Sequence, residues 1–446
     1  MNNSDITKEK LVKFFESGCK KKENWKIGTE HEKFGFRKKN LKPINFQDIQ
    51  VIFKSLEEKF GWAKVTENDL IIGLKKNLSS ISLEPGGQIE LSGAPLCNLF
   101  ETCREVNSHH SELSLVSDPL DIDYMGIGFL PKWDLDDIET VPKARYKIMK
   151  NYMTKKGKHG LDMMHRTTTI QANLDYESEI DMKNKFRVSL AIQPAVIALY
   201  ANSPFFSGKL SKFLSYRSWV WKNTDNDRCG VLPMVFDESF SFESYVDYAL
   251  SVPMYFIKRN EHYYDFSGCS FRDFVNQKKP FESFQITMKD WEDHLTTIFP
   301  EVRLKKYLEF RGADGGPWSN VCALPAFWVG LLYDQKNLEE LSDIITKWNI
   351  NQIVKFYDEV ASVGLQAKTP DGKNLKVFIK ELLNRSKQGL DRRNIKNSNK
   401  NESIFLDPLF EILNKGESQA EIWKKMYYDM WEKNVDFIYK ENYFGK

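Results

Sequence analysis

The chain has 446 residues, of which 41% are hydrophobic and 28% are charged, and its formal net charge is only +2. This hydrophobic content is enough for a large packed core, and the near-neutral charge gives no reason to propose nucleic-acid binding through electrostatics. No uncharged apolar stretch reaches the roughly 18 residues of a membrane span, and "MNNSDITKEKLVKFF" lacks the apolar segment of a secretory signal. We therefore expect a protein that binds neither nucleic acid nor a membrane.

The first part of the chain predicts helices that alternate with groups of strands. Residues 4–17 have apolar side chains at helical spacing, and an extended stretch over 26–36 follows. Residues 46–60 predict a second helix. Strands broken by a Pro-Gly-Gly turn at 85–87 come next, and residues 98–117 return to helical spacing.

The second part ends in helices. The β-branched, alternating stretch 166–175 predicts a strand, and the strongly apolar stretch 183–200 predicts a core helix. A short strand at 307–311 precedes "GADGG", and from about residue 326 the chain is mainly helical. The polar, basic stretch 385–403 predicts a solvated loop. Antiparallel-style strand pairs between groups of helices indicate an α+β architecture.

Four of the predicted strands have one polar face, formed by side chains two residues apart. The polar positions are, strand by strand, Glu30 and Glu32; Gln88 and Glu90; Thr169, Gln171 and Asn173; and Tyr307, Glu309 and Arg311. A face turned to water is the simplest explanation of any one such strand. Glutamate is a poor strand former, however, and three of the strands carry it in the middle. The repetition favours a functional face.

Carboxylates that share one face need a positive partner, and a divalent cation would supply it. Mg²⁺ prefers oxygen ligands and commonly bridges carboxylates to phosphate oxygens. The chain lacks the clustered His and Cys residues of a zinc site, so we predict Mg²⁺ or Mn²⁺. Metal clamps of this kind serve phosphoryl transfer, and neither a P-loop nor a dinucleotide-binding motif is present. The predicted ligands are Glu30, Glu32, Glu84, Glu90, Gln171 and Glu309.

Long motifs occur in order over about residues 20–400, among them "IGTEHEKFGF", "SLEPGGQIELSGAP", "PKARYKIMKNYM", "GLDMMHRTTTIQANLD" and "HLTTIFPEVRLKKYLEFRGADGGPW". Together they resemble the plant and proteobacterial type of glutamate–cysteine ligase. The resemblance implies an enzyme that uses ATP and two or three Mg²⁺ ions to join the γ-carboxylate of L-glutamate to the amine of L-cysteine. The reaction would pass through γ-glutamyl phosphate and would be the first step of glutathione biosynthesis.

The resemblance also implies the fold and the partners. A curved antiparallel β-sheet would form a funnel, as in the catalytic domain of glutamine synthetase, with helices packed outside. Residues 1–446 would be a single catalytic domain. Glutathione is expected as a feedback inhibitor, and the enzyme is expected to be a monomer or a homodimer.

The motifs assign roles to single residues. Arg311 is the strongest candidate for the clamp that holds a carboxylate of the substrate, because guanidinium binds carboxylate in a bidentate manner; together with Glu309 it is assigned to catalysis. A structural ion pair is the alternative for the other arginines, and core packing is the alternative for the tyrosines. These further substrate-binding candidates are Arg217, Arg166, Tyr245 and Tyr248.

Residues on both sides of the Glu309 strand are candidates for contacts with the ATP phosphates. They are Arg303, Lys305, Gly312 and Gly315, the last two in the "GADGG" turn. His31 lies between the two glutamates in sequence. Strand alternation turns its side chain to the opposite face, so we interpret it as structural.

The six cysteines are scattered and include no C-x-x-C pair, which is typical of a protein with reduced thiols. The resemblance implies that Cys103 and Cys322 match one redox-sensitive pair of the plant enzymes, while the second pair is not reproduced. We expect Cys103 and Cys322 to be buried free thiols. The family motifs begin close to Met1 with no transit peptide, and we therefore predict a cytoplasmic enzyme of bacterial type.

Two other functions stay open. A γ-glutamyl ligase with a different amine, or a phosphotransferase with another acceptor, would need the same carboxylate-lined sheet. A catalytically silent binding module is the third alternative. Intact Glu30, Glu32, Glu90 and Glu309 argue against it, because stacked like charges destabilise a fold that has no use for them.

Overall fold

The computed structural model describes residues 6–441 and Phe444. Helices follow one another over most of the chain. They are α1 (Lys8–Glu16), α2 (Phe46–Phe60), α3 (Leu99–Ser117), α4 (Ala144–Met153), α5 (Gly160–Arg166), α6 (Glu179–Leu199), α7 (Tyr216–Lys222), α8 (Phe242–Ser251), α9 (Phe271–Val275), α10 (Met288–Leu295), α11 (Trp318–Leu332), α12 (Gln335–Ile345), α13 (Ile350–Val363), α14 (Leu375–Arg393), α15 (Asp407–Lys415), α16 (Gln419–Asp429) and α17 (Ile438–Glu441).

The strands lie between these helices. They are β1 (Ile27–Arg37), β2 (Ala63–Glu67), β3 (Leu70–Lys76), β4 (Ser79–Leu83), β5 (Ile89–Ser92), β6 (Ile122–Met125), β7 (Thr169–Leu174), β8 (Phe205–Phe206), β9 (Lys209–Leu210), β10 (Cys229–Gly230), β11 (Phe256–Arg259), β12 (His262–Asp265), β13 (Phe299–Pro300), β14 (Val302–Leu304), β15 (Leu308–Asp314), β16 (Lys396–Asn397) and β17 (Lys400–Asn401).

Nine of these strands form one open antiparallel sheet in the order β14-β15-β7-β1-β5-β4-β3-β2, with β6 paired to the end of β1. The four strands that were predicted to have a polar face are neighbours in the order β15-β7-β1-β5. Their register places Glu30 opposite Gln171 and Glu32 opposite Glu90. Because alternate side chains point to one face, the polar positions form one continuous surface, and the predicted α+β class is confirmed.

The opposite face of the sheet carries the core. Helices α3, α6 and α11 pack against β1, β7 and β15. Helix α6 is buried from Met182 to Leu199 with few interruptions, as expected for a helix that is apolar on all sides. In α11, the Trp328 ring stacks on Phe310 of β15 with centroids 4.6 Å apart. The site face is therefore supported by a rigid, close-packed layer.

Local capping signals explain why several helices begin and end where the sequence predicts. Helix α2 starts at a capping box between Asn45 and Asp48 and stops at Gly61, whose φ of 71° suits glycine. The Asn98 side chain caps α3 by accepting a hydrogen bond from the Glu101 backbone N–H. The first predicted helix is shorter than expected, since α1 begins at Lys8; positions 4 and 5 lie outside the described residues.

The prediction of a solvated loop over 385–403 is wrong. Helix α14 continues to Arg393, and the hairpin β16–β17 follows it. The stretch is polar because one side of the helix faces solvent, while Leu390 is fully buried. Gly389 sits so close to the backbone of Gly330 in α11 that no Cβ would fit. Close helix packing, rather than composition, decides the structure here.

Cys103 and Cys322 form a disulfide, so the expectation of two free thiols is wrong. The bond joins α3 to α11 behind the sheet. The two helices pack side by side, which brings the Cα atoms to 5.5 Å from each other, and this separation lies within the usual span of a disulfide. The other four cysteines are free thiols.

None of the helices in the described part of the chain is both long and apolar enough to cross a membrane. One large apolar cluster runs from Leu11 in α1 to Leu409 in α15 and includes side chains from most of the sheet. The interpretation of residues 1–446 as one domain stays a prediction that this shared core supports.

Candidate active site

The polar face of the sheet forms the floor of a cavity of about 220 Å³. Strands β1, β5, β7 and β15 contribute to the floor, and side chains from α4, β11 and the segment before β14 complete the walls. The predicted residues that line the cavity are Glu30, Glu32, Glu84, Glu90, Gln171, Arg303, Lys305 and Arg311.

Three glutamates form an acidic cluster on adjacent strands. Glu30 accepts a hydrogen bond from the Asn173 amide at 2.7 Å, Glu32 accepts one from the Thr169 backbone N–H at 3.1 Å, and Glu90 accepts one from the Ser82 hydroxyl at 2.6 Å. Each carboxylate is thus held in place by a neutral donor. None of the three has a hydrogen bond to a cation among the described residues.

The acidic cluster is electrostatically strained. Burial, followed by the charges of Glu309 and Glu90, raises the pKa of Glu30 to about 7. Burial and then the charges of Glu90 and Glu84 raise the pKa of Glu32 well above its ordinary value. The pKa of Glu90 is raised by burial and then by Glu84. A positive group that is not part of the chain would relieve all three shifts.

Glu309 has the opposite environment, because three cations surround it. Its carboxylate accepts from Arg303 at 2.6 Å, from Lys305 at 2.9 Å and from Arg311 at 2.7 Å. Burial alone would raise the pKa of Glu309, but these three charges hold it well below its usual range. Glu309 is fully buried under the cavity wall, while its three partners face the cavity.

Arg311 connects the two kinds of charge. Its Nη1 donates to Glu309 at 2.7 Å and to the Gln171 side-chain oxygen at 2.8 Å. Arg217 lies next to it and donates from Nη2 to the Arg311 backbone carbonyl at 2.7 Å. Arg217 itself is buried and does not line the cavity. Its contact therefore positions the backbone of Arg311.

The structure places other predicted site residues away from the cavity. Arg166 is buried between the Phe129 and Phe206 rings and pairs with Asp162 at 3.1 Å. Tyr245 and Tyr248 lie in α8, where their rings pack in the helical layer.

The two glycines of "GADGG" are also outside the cavity. Gly312 packs against Gln193 and Glu301, and Gly315 packs against Thr168 and the Ile127 backbone. These glycines permit close packing, and the structure gives neither a direct route to a phosphate. His31 lies on the opposite face, stacked on Phe444 with centroids 5.2 Å apart, as its position in the strand predicts.

Sequence reasoning missed Arg145 and Tyr146, which line the cavity near Glu84. Both stand at the start of α4, in the motif "PKARYKIMKNYM". The Arg145 guanidinium donates to the Tyr146 hydroxyl at 3.3 Å, and its Nε has no partner in the described structure. The sequence signal for these residues was an Arg-Tyr pair at the start of a helix inside a long family motif. The sequence alone did not show how close this helix lies to the strands of the site.

The donor set fits a divalent cation, although the described residues do not form a complete metal site. Carboxylate and amide oxygens are suitable ligands for Mg²⁺, and the raised pKa values of Glu30 and Glu32 indicate missing positive charge. Within the described residues, no group of three His, Cys, Asp or Glu side chains is arranged to hold a metal ion. The carboxylates instead line an open cavity. Phosphate oxygens of a bound ligand commonly complete the coordination of Mg²⁺ in such a site.

An open antiparallel sheet that gathers carboxylates next to guanidinium and ammonium groups is the site of an enzyme that handles phosphates and carboxylates. The family model "Glutamate-cysteine ligase family 2 (GCS2)" matches residues 26–441. The chain therefore belongs to glutamate–cysteine ligase family 2. This membership confirms the predicted ligase, which forms γ-glutamylcysteine with ATP in glutathione biosynthesis.

Known proteins support the same assignment. The chloroplastic glutamate–cysteine ligase of Nicotiana tabacum is 51% identical over 437 residues, 98% of this chain and 83% of that protein. The chloroplastic glutamate–cysteine ligase B of Oryza sativa subsp. japonica is 52% identical over 437 residues, 98% of this chain and 87% of that protein. A Francisella tularensis glutamate–cysteine ligase solved with AMP superposes with a TM-score of 0.58 at 14% identity, covering 95% of this chain and 88% of that one. At that identity the likeness shows the fold alone.

The predicted cytoplasmic location is contradicted by these relatives, which are named as chloroplastic enzymes. The prediction relied on how close the first motif lies to Met1. That distance does not identify the compartment in which the protein works.

Proposed function

We propose that the acidic cluster binds two or three Mg²⁺ ions together with ATP, and that Mn²⁺ can replace them. The observation that carries this proposal is that Glu30, Glu32 and Glu90 line one cavity and accept hydrogen bonds only from neutral donors among the described residues. The raised pKa values of the three carboxyls agree with it. Mg²⁺ would supply positive charge that neutralises the phosphates and the charge that develops during transfer. The proposed ligands on this side are Glu30, Glu32, Glu84, Glu90 and Gln171.

Glu309 differs from the other predicted metal ligands in its surroundings. Its charge is already balanced by Arg303, Lys305 and Arg311. Its predicted role as a metal ligand requires that an ion replace one of these cations. We propose that its first role is to hold the three cations toward the cavity, where they bind the triphosphate.

The substrates would then occupy different ends of the cavity. Lys305 and Arg303 form its basic end and suit ATP phosphates, while Arg145 lies near Glu84 at the other end and suits a carboxylate of glutamate. Arg311, between the two, would bind the transferred phosphoryl group. The γ-carboxylate of glutamate attacks that phosphorus and ADP leaves. The neutral amine of cysteine then attacks the acyl carbon, and phosphate leaves.

ADP release tests this reaction. Glutamate, ATP and Mg²⁺ should give rapid ADP release when cysteine is present, and glycine or alanine at the same concentration should replace it poorly. Glu90→Gln should lower the rate about 100-fold or more, whereas Glu58→Gln, an exposed change on α2, should not. ADP release that needs neither amino acid, or a normal rate with Glu90→Gln, would contradict the proposal.

Two properties of the enzyme stay predictions. Glutathione is proposed as a feedback inhibitor, because it contains the γ-glutamyl group that the cavity would recognise; initial rates at rising glutathione concentrations test this.

The enzyme is proposed to be a monomer or a homodimer. Light scattering after size-exclusion chromatography, with and without a reductant, distinguishes the two states.

A further inference from the structure

A second cavity, the side pocket, lies beyond the edge of the sheet between α7, α13 and β10. Its volume is about 490 Å³, more than twice that of the site cavity. The two cavities have no lining residue in common. The segment that separates them is short: Phe299 and Arg303 line the site cavity, and Glu301 between them lines the side pocket.

Aromatic rings form one wall of the side pocket. Trp219 and Phe213 stack with centroids 5.0 Å apart. Tyr357 donates its hydroxyl to the Leu190 carbonyl at 2.7 Å, so its ring is fixed beside the pocket. This wall suits the apolar body of a small ligand, and aromatic faces also attract cations.

Glu301 lines the side pocket, whereas the neighbouring Gln193 amide does not. No described residue donates a hydrogen bond to the Glu301 carboxylate, whose pKa is raised by burial against the opposing effect of Arg217 and Arg311. Next to it, around Gly312, lies the Gln193 amide. Gln193 is 1% exposed, and neither its oxygen nor its nitrogen has a hydrogen-bond partner among the described residues.

The cations nearest Glu301 are held by other groups, and Arg217 donates to the Arg311 backbone carbonyl rather than to a carboxylate. Arg311 is paired with Glu309 at 2.7 Å. At the rim, Lys222 is paired with Asp358. Glu301 is therefore the carboxylate in the side pocket whose charge no direct ion pair with a described residue balances, and an unpaired carboxylate in a partly desolvated pocket favours a cationic ligand.

We propose that the side pocket binds a small organic ammonium ion, with its N–H donors on Glu301 and its apolar body against Trp219 and Phe213. Buried polar groups without partners are costly unless something satisfies them, and an ammonium group offers three donors. The proposal does not depend on the proposed function, because binding can be measured without any substrate.

Isothermal titration with three probes that share a phenylethyl body tests the charge requirement. Phenethylammonium should bind the ligand-free enzyme, while neutral 2-phenylethanol and anionic 3-phenylpropionate should bind at least about tenfold more weakly. Binding should persist when ATP and glutamate fill the site cavity. Equal binding of the three probes, no binding of any, or displacement by ATP and glutamate would overturn the proposal.

Variants then locate the site. Glu301→Gln should weaken phenethylammonium binding about tenfold or more, and Trp219→Ala should do the same through the other end of the ligand. Glu359→Gln, an exposed carboxylate on the same helix α13 that does not line the pocket, is the matched control and should change binding by less than about twofold. Melting curves verify that each variant is folded. Wild-type affinity in both folded test variants would refute the site.

Discussion

Replacement of Glu30 by glutamine tests the electrostatic argument for the acidic cluster directly. In the ligand-free enzyme the pKa of Glu30 is raised from 4.5 to about 7, first by burial and then by Glu309 and Glu90. A tenfold change in acidity is worth about 1.4 kcal/mol, so keeping Glu30 ionised in the folded protein costs about 3 kcal/mol at most. Glutamine has nearly the same shape and carries no charge. Glu30→Gln should therefore stabilise the ligand-free fold.

The pH dependence of this gain follows from the raised pKa. Below its ordinary value of 4.5 the carboxyl is protonated in both the folded and the unfolded protein, so it costs nothing. Stability is lost as the pH rises from 4.5 to about 7, and the full cost is present above that range. The stability gain of Glu30→Gln should therefore be up to about 3 kcal/mol at pH 8 and much smaller at pH 5.

Urea unfolding, followed by tryptophan fluorescence in the presence of EDTA, measures this gain at both pH values. Glu58→Gln, an exposed carboxylate on α2, is the matched control and should change stability by less than about 0.5 kcal/mol. Added Mg²⁺ should stabilise the wild type more than Glu30→Gln. A variant that is no more stable than the wild type at pH 8, or equally stabilised at both pH values, would refute the reasoning.

Three further changes probe other parts of the structure. Arg311→Lys should lower kcat/KM about 100-fold or more in steady-state kinetics, because lysine lacks the planar guanidinium whose Nη1 bonds both Glu309 and Gln171 while other donors stay free for a ligand. Cys103→Ser should lower the free energy of unfolding by about 2–5 kcal/mol, because it removes the bond to Cys322, and should abolish the effect of a reductant on the melting temperature. His31→Phe should leave kcat within about twofold and the melting temperature unchanged or higher, since neither ring nitrogen has a partner.

The polar face was predictable from sequence because strand alternation has a period of two. Glu30 and Glu32 share a face whatever strand lies next to them. The order β15-β7-β1-β5 was not predictable in this way, because the strands that meet are far apart in the chain and pairing depends on the whole fold. The repetition of the pattern suggested one shared functional face, and the family motifs then implied ATP as its ligand.

Residues outside the strands were harder to place for a physical reason. A residue in a strand has two choices of face, but a helical residue can face any direction around the axis. Tyr248 and Arg166 were assigned to substrate from their motifs, and the structure packs both away from the cavity. Arg145 was overlooked, although α4 brings it near Glu84 in the cavity. In the same way, the polar residues on the exposed side of α14 led to the prediction of a loop, although Leu390 on the other side is buried.

One half of the cavity lacks positive charge, and the other half is rich in cations. This division suits a ligand that combines metal ions with a nucleotide. Glu30, Glu32 and Glu90 need positive charge, whereas three cations surround the single carboxylate of Glu309. A free nucleotide would satisfy only the cations, and metal ions alone would satisfy only the carboxylates. A ligand that carries divalent cations on one side and phosphate oxygens on the other satisfies both halves at once. Either component should therefore bind weakly alone, and each should strengthen the binding of the other.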